Sequence, residues 1–459
     1  MTAVVTPLPL RPVPLDGEPG ALTLFRLMRR DLLAMWTAET YELEFFGRRF
    51  LWRHTFVANS PDTVEHVLVT RGENYLRKSP YMRKALEMLV GDGLITSDGE
   101  LWRRRRAMQA PAFSAANLRR FGATMTACAE ELREQWRARG AGPVLAHAEM
   151  ARLTAEVIGR AAFGDSLGAE RTARLAHGFS AYQAAVEQFD LGAFFGLPSW
   201  FLRTPQWRSA QRGAAEVHAI VDEVVRKRLG EAPDGSDLLG LLLQAHESRV
   251  PGGLTDEQVR NEASVIFLAG HETAANALAW TWYLLALHPR AEARLHEELA
   301  HVLGGRVARW EDVPALKFTR AVLEESMRLY PPLPVLSREC IAEDEIRGRR
   351  IPKGSIVTVA PWLLHRHAKL WEHPHEFVPE RFTAEWPTRH AKFAYLPFGA
   401  GPRVCLGAAF AMNEVVISLA TLAQAFVLRL DPGREVGYEC RLTLRPAAGL
   451  PMRLEPRAS

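Results

Sequence analysis

The segment Phe398-Gly399-Ala400-Gly401-Pro402-Arg403-Val404-Cys405-Leu406-Gly407 gathers residue types that do chemistry. Glycine and proline together predict a tight loop that exposes its backbone. A helix is predicted just after it, from Leu406 through Ala425. Cys405 therefore stands at a helix N-terminus beside Arg403, and both dipole and cation favour thiolate over thiol. Thiolate is the form that ligates metal. The other cysteines, Cys128, Cys340 and Cys440, are scattered. No CxxC pair exists, which argues against a zinc ribbon or a dithiol redox motif. So few cysteines in so long a chain suggest a reducing compartment and no disulfide scaffold.

A second candidate is Ala269-Gly270-His271-Glu272-Thr273, a polar interruption of an apolar stretch. Glycine and polar groups are costly inside an apolar helix. Two readings stay open: a polar patch at a helix crossing, or a local opening that presents backbone and hydroxyl to a ligand. His271-Glu272 would need a second histidine one turn on to form a metalloprotease motif, and Ala275 stands there. His365, His367, His373 and His375 are dense, and a hydrogen-bonded loop is preferred over a metal site for them. Trp102 precedes the run Arg103 to Arg106; Arg103, Arg104 and Arg105 are read as a solvated helix face.

These groups need a framework, and its pattern is helical. Ala115 to Arg139, Ala151 to Phe163, Gln211 to Leu229 and Ala291 to Leu303 carry apolar residues at three-to-four spacing. The longest helix is predicted over Asp256 to His288, capped by Thr255 with Gln258 and stopped by Pro289. Strands are few: Arg49 to Ala58, Ile356 to Ala360, and hairpins near the C-terminus. The fold class is mainly α with small β-sheets, without βαβ alternation. Pro7, Pro9, Pro12 and Pro14 make residues 1–20 an extended arm, and 21–459 are read as one domain. The chain has 459 residues, 57 Lys and Arg against 53 Asp and Glu, and 47% hydrophobic residues. That composition excludes general disorder, and a net charge of +4 argues against a nucleic-acid binder. No signal peptide or membrane-spanning run is evident, so a cytoplasmic protein without a transmembrane anchor is expected.

Four segments, taken together, resemble the cytochrome P450 family. Phe398, Gly401, Arg403, Cys405 and Gly407 match its haem-binding loop, and Glu325-Ser326-Met327-Arg328 its ExxR helix. Pro379-Glu380-Arg381-Phe382 matches its PERF motif, and Ala269 to Thr273 its oxygen-activation motif. Trp102 with Arg106 resembles its WxxxR pair. One departure is Ala274, where the family often has Thr or Ser, with consequences for proton delivery.

The resemblance implies haem b held between the long helix and the cysteine loop, with Cys405 as axial ligand to iron. A thiolate ligand supplies electron density that favours O–O cleavage. Arg403, Arg106, Trp102 and Arg338 would hold the propionates. Phe398 would pack beside the thiolate, with Gly401 and Gly407 keeping backbone close to the macrocycle. Glu325, Arg328 and Arg381 would form a structural triad. Thr273 and Glu272 would form an alcohol–acid pair for proton delivery, with Gly270 letting the backbone open. The substrate pocket would draw on Tyr75–Leu101, Phe189–Phe201, Val265–Thr273, Pro332–Leu336 and Gly449–Met452, with Phe189–Phe195 as an entry lid. The implied activity is oxygen insertion from O2 into a hydrophobic substrate: a fatty acid, terpenoid, steroid or apolar aromatic. Electrons would pass from NAD(P)H through a separate ferredoxin or flavodoxin with its reductase, since no fused reductase is recognised; a monomer is expected. Alternatives are a haem-thiolate peroxygenase or isomerase, or a non-catalytic haem protein.

Overall fold

A computed structural model describes residues 8–50, 52–186, 205–231, 235, 237–246, 253–384, 386 and 390–457. Its helices are α1 (Ala21–Arg30), α2 (Pro61–Glu65), α3 (Pro80–Val90), α4 (Gly99–Gln109), α5 (Ala115–Arg139), α6 (Ala146–Phe163) and α7 (Gly168–Ala185). They continue as α8 (Pro205–Leu229), α9 (Leu238–Gln244), α10 (Asp256–Leu287), α11 (Pro289–Leu303), α12 (Lys317–Leu329), α13 (Pro361–Leu364) and α14 (Ala408–Ala423).

The axis of the fold is α10, and its ends are written locally. Thr255 Oγ1 accepts from the Gln258 N–H at 3.3 Å while Gln258 Oε1 accepts from the Thr255 N–H at 3.2 Å. This reciprocal box satisfies two otherwise orphaned donors. Pro289 then opens α11. The 32 residues of α10 span about 48 Å. Between Asn261 and Leu285 every residue is buried except Ala269, Gly270 and Thr273. A helix that is apolar nearly all round belongs in a core.

The helix is α-helical throughout, so no opening occurs at Gly270. The glycine serves close packing instead. A Cβ there would lie 2.7 Å from Ile158 Cγ1 of α6. Thr154 of α6 adds a hydrogen bond from its hydroxyl to the His271 carbonyl at 2.8 Å. The polar interruption is thus a helix crossing, the plainer of the two readings.

The strands are β1 (Phe45–Phe50), β2 (Arg53–Ala58), β3 (Gly142–Leu145), β4 (Leu336–Glu339), β5 (Asp344–Ile346), β6 (Arg349–Ile351), β7 (Ile356–Val359), β8 (Phe426–Leu430), β9 (Tyr438–Cys440), β10 (Leu444–Pro446) and β11 (Pro451–Pro456). The largest sheet runs β1-β2-β7-β4. In it β1 and β2 form a hairpin where one strand from Arg49 was expected. Strand β2 runs parallel to β7, with Thr55 opposite Ile356, and β4 is antiparallel to β7. The smaller sheets are β3-β11-β8, β9-β10 and β5-β6.

The described part of the proline-rich arm is tied to the body. Leu15 pairs with the Trp36–Ala38 backbone, and the Leu10 carbonyl accepts from Tyr330 Oη at 2.8 Å. Arg11 Nη1 reaches the His375 ring at 2.8 Å. Among the described residues no helix is long and apolar enough to cross a membrane. The expected lid Phe189–Phe195 and the wall Phe189–Phe201 lie outside the described residues.

Candidate active site

The cysteine loop is shaped by one glycine above all. Gly401 has φ +69, and a Cβ on it would fall 1.7 Å from the Leu68 carbonyl oxygen. No other residue fits that approach. The Cys405 N–H then donates to the Phe398 carbonyl at 2.9 Å, and the Val404 N–H to Gly401 at 3.0 Å. Gly407 is different: a Cβ there would meet only Phe113 at 3.6 Å, an ordinary contact. Phe398 packs against the main core. The loop leaves Cys405 exposed, whereas Cys128, Cys340 and Cys440 are buried.

Two expectations about this thiol are corrected. Helix α14 begins at Ala408, so Cys405 stands ahead of its N-cap Gly407. Burial is the largest influence and pushes the thiol pKa up; the Gly407 backbone and the Arg106 charge pull it down. The residue is exposed, yet enough protein surrounds the thiol for desolvation to dominate. The cation that acts on it is Arg106 and not Arg403, because Arg403 is engaged elsewhere. Its Nη2 donates to the Ser97 carbonyl at 2.6 Å and to Asp98 Oδ1 at 2.9 Å. Its guanidinium lies 4.6 Å from the Trp102 ring centroid.

Around this loop gathers a set of desolvated cations. Arg338 is buried, and its Nη1 donates to the carbonyl of its neighbour Ser337 at 3.3 Å. Burial lowers its pKa to about 10. Arg403 is lowered to about 10 by burial first and then by Arg338. Among the described residues Arg106 has no hydrogen-bond partner and the Trp102 indole N–H no acceptor; the Arg106 guanidinium lies 5.8 Å from the Trp102 ring centroid. Lys78, absent from the sequence reading, joins them. Its backbone bridges to Arg338, and burial pushes its pKa well below the ordinary lysine value. Desolvated cations persist only with partners, so this cluster is built for an anion with several oxygens.

On α10 the accessible Ala269 and Thr273 share one face, four residues apart, while Gly270 turns towards Ile158 of α6. Thr273 Oγ1 donates to the Ala269 carbonyl at 2.8 Å. Glu272 points elsewhere, since adjacent helical residues diverge by about 100°. It is buried, accepts a hydrogen bond from Thr443 Oγ1, and has its pKa raised by burial. The alcohol and the acid are therefore neighbours in sequence that face different surroundings.

These features converge with the comparisons. The family model described as "Cytochrome P450" matches residues 19–446. The chain belongs to the cytochrome P450 family. It is 33% identical over 411 residues to "Cyclooctatin synthase" of Streptomyces melanosporofaciens, covering 88% of this chain and 87% of that protein. It is also 33% identical over 406 residues to "Cyclooctat-9-en-7-ol 5-monooxygenase" of the same organism, covering 88% and 86%. The solved haem domain of cytochrome P450DA superposes with a TM-score of 0.81 at 26% identity, covering 98% of each chain. This P450 is thus an oxidoreductase of the monooxygenase class with a haem-thiolate cofactor and O2 as co-substrate. It has the mainly α P450 fold with small sheets.

The residues present fit that cofactor. Haem carries two carboxylates, and Lys78, Arg106, Arg338, Arg403 and the Trp102 indole supply cations and donors for them. Behind the site, Glu325 binds Arg328 through two hydrogen bonds of 2.7 Å. Arg381 Nε reaches Glu325 Oε1 at 3.3 Å. Arg328 also donates to the carbonyls of His365, Pro374 and Glu376, which fixes the meander after α13.

Other expectations change. Arg105 is no solvated arginine: it is 1% exposed and pairs with Glu262 of α10 at 2.8 Å and with Asp92 at 2.7 Å. Its spacing of three from Trp102 was the available signal, since both fall on one helical face. The histidines are each committed within the protein. His365 Nε2 accepts from the Leu396 N–H, His367 Nδ1 from the Lys369 N–H, His375 holds Arg11 and His373 meets Glu376. Met452 of the expected pocket wall lies in β11, with Val144 and Leu430 as its register partners. The hairpin β9-β10 takes that side, with the Leu444 carbonyl accepting from the Trp280 indole at 3.2 Å.

Proposed function

We propose that this P450 hydroxylates an apolar terpenoid, with electrons drawn from NAD(P)H through a separate ferredoxin or flavodoxin. The observation that carries the reading is the pairing of one accessible cysteine in a glycine-shaped loop with an apolar, accessible face on α10. The terpenoid class is supported by the two Streptomyces relatives, one named as a monooxygenase of cyclooctat-9-en-7-ol. The unpaired cysteines support a cytoplasmic setting.

In this reading Cys405 holds the iron, and the bound haem supplies O–O cleavage aided by thiolate electron density. Metal coordination deprotonates a thiol outright, which overrides the upward push of burial. Lys78, Arg106, Arg338 and Arg403 hold the haem carboxylates and exclude water from that edge. Gly270 keeps α10 close to α6, so that Ala269 and Thr273 face the recess. Thr273 offers its hydroxyl there. Burial raises the Glu272 pKa, which favours its protonated form and suits it to hold a proton on the neighbouring side of α10. The test is turnover of a terpene panel under isotopically labelled dioxygen with a reconstituted donor. One labelled oxygen in the product and one in water is expected; product without label would refute the reading.

A further inference from the structure

Helix α4 opens at Asp98, whose backbone has the extended angles of an N-cap, φ −132 and ψ 169. Its side chain makes no cap hydrogen bond. An aspartate at this position ordinarily accepts from the N–H groups of its own helix. Here the carboxylate is given to arginines from three other places. Oδ1 accepts from Arg403 of the cysteine loop at 2.9 Å. Oδ2 pairs with Arg83 of α3, and Arg77 Nε lies 3.8 Å away.

The grip on Arg403 is nearly complete. Besides Asp98, its guanidinium has the Ser97 carbonyl at 2.6 Å, the Leu94 carbonyl at 3.4 Å and the Trp102 ring beneath it. Its side chain is 6% exposed. Asp98 is also the carboxylate whose charge acts on Lys78, Arg338 and Arg403 alike. It therefore sits as one negative charge inside the cluster that receives the haem carboxylates.

We infer that Asp98 is a positioning residue for the haem: it fixes Arg403 over Trp102 and offsets part of the cation cluster, which sets the reduction potential of the iron. The inference rests on the haem-thiolate reading of Cys405. Removing a negative charge near the iron favours the ferrous state, so a neutral residue shifts the potential upward. Asparagine and serine cap helices as well as aspartate does. A capping role is therefore unaffected by Asp98→Asn or Asp98→Ser, whereas a charge role is abolished.

The experiment is spectroelectrochemical titration of holoprotein for wild type, Asp98→Asn, Asp98→Ser and Asp98→Glu, with resonance Raman of the propionate bending modes. Both neutral variants are expected to show a higher potential and a displaced propionate band, and Asp98→Glu to return towards wild type in both. Unchanged potential and band in haem-loaded neutral variants would overturn the inference. So would failure of both neutral variants to take up haem, which would mark Asp98 as a folding element. Each protein is first checked for the red-shifted Soret band of a thiolate-ligated ferrous–CO complex. Its absence from wild type would sink the Cys405 reading itself, a separate failure.

Discussion

Glu414 gives a prediction whose sign and size follow from burial. It lies on α14, nine residues after Cys405, and is 0% exposed. Among the described residues neither carboxylate oxygen has a hydrogen-bond partner, and the Ser418 hydroxyl one turn on has none either. Burial raises the Glu414 pKa well above its ordinary value. The folded protein thus keeps a proton that the unfolded chain releases near pH ~4.3. Unfolding at higher pH then releases a proton, so stability falls as pH rises between the two pKa values. The slope is about 1.4 kcal/mol per pH unit. Below the unfolded pKa the group contributes nothing to this slope. Glu414→Gln keeps the shape, cannot ionise, and leaves a similar unpaired polar group. Its stability relative to wild type should therefore grow by about 2.7 kcal/mol across two pH units, a large share of a typical total of about 5–15 kcal/mol. Urea unfolding followed by far-UV circular dichroism at successive pH values above the unfolded pKa measures that gap, which stops growing once the folded group ionises. A gap that stays constant with pH would refute the reasoning.

Four further outcomes are expected. Gly401→Ala must move the loop off the Leu68 carbonyl, and haem titration of the purified variant should show loss of stoichiometric uptake. Gly270→Ala should cost about 1–3 kcal/mol by overpacking against Ile158, and Ile158→Ala should recover part of it in a double-mutant cycle of thermal unfolding. Arg328→Met strands Glu325 as a buried charge and should cost about 3–5 kcal/mol, while Arg119→Met on the surface should cost under about 1 kcal/mol; denaturant midpoints compare them. Glu272 delivers a proton only while protonated, so coupled product formation should fall as pH rises through its elevated pKa, and Glu272→Gln should remove that dependence.

What the sequence makes legible here is what is decided locally. The Thr255–Gln258 box and Pro289 lie within a few residues of the ends they set, and α10 was readable from them. The cysteine loop was readable because its glycines, arginine and cysteine occur in one short run. What failed depends on distant partners. Gly270 reads equally as an opening or a close approach until Ile158 is seen against it. Arg105 looks like its exposed neighbours until Glu262 of α10 and Asp92 are brought to it. Lys78 and Asp98 carry no motif, and only the converging arginines give them meaning. The sequence placed Glu272 beside Thr273, but helical geometry turns the two to different sides.

The central claim is that Cys405 carries the iron of a haem-thiolate enzyme. The ferrous–CO spectrum of wild type beside Cys405→Ala tests it most directly. The account predicts the red-shifted thiolate Soret band in wild type and its loss in the variant, with Cys128, Cys340 and Cys440 unable to replace it because all three are buried. A thiolate band that survives in Cys405→Ala would contradict the account.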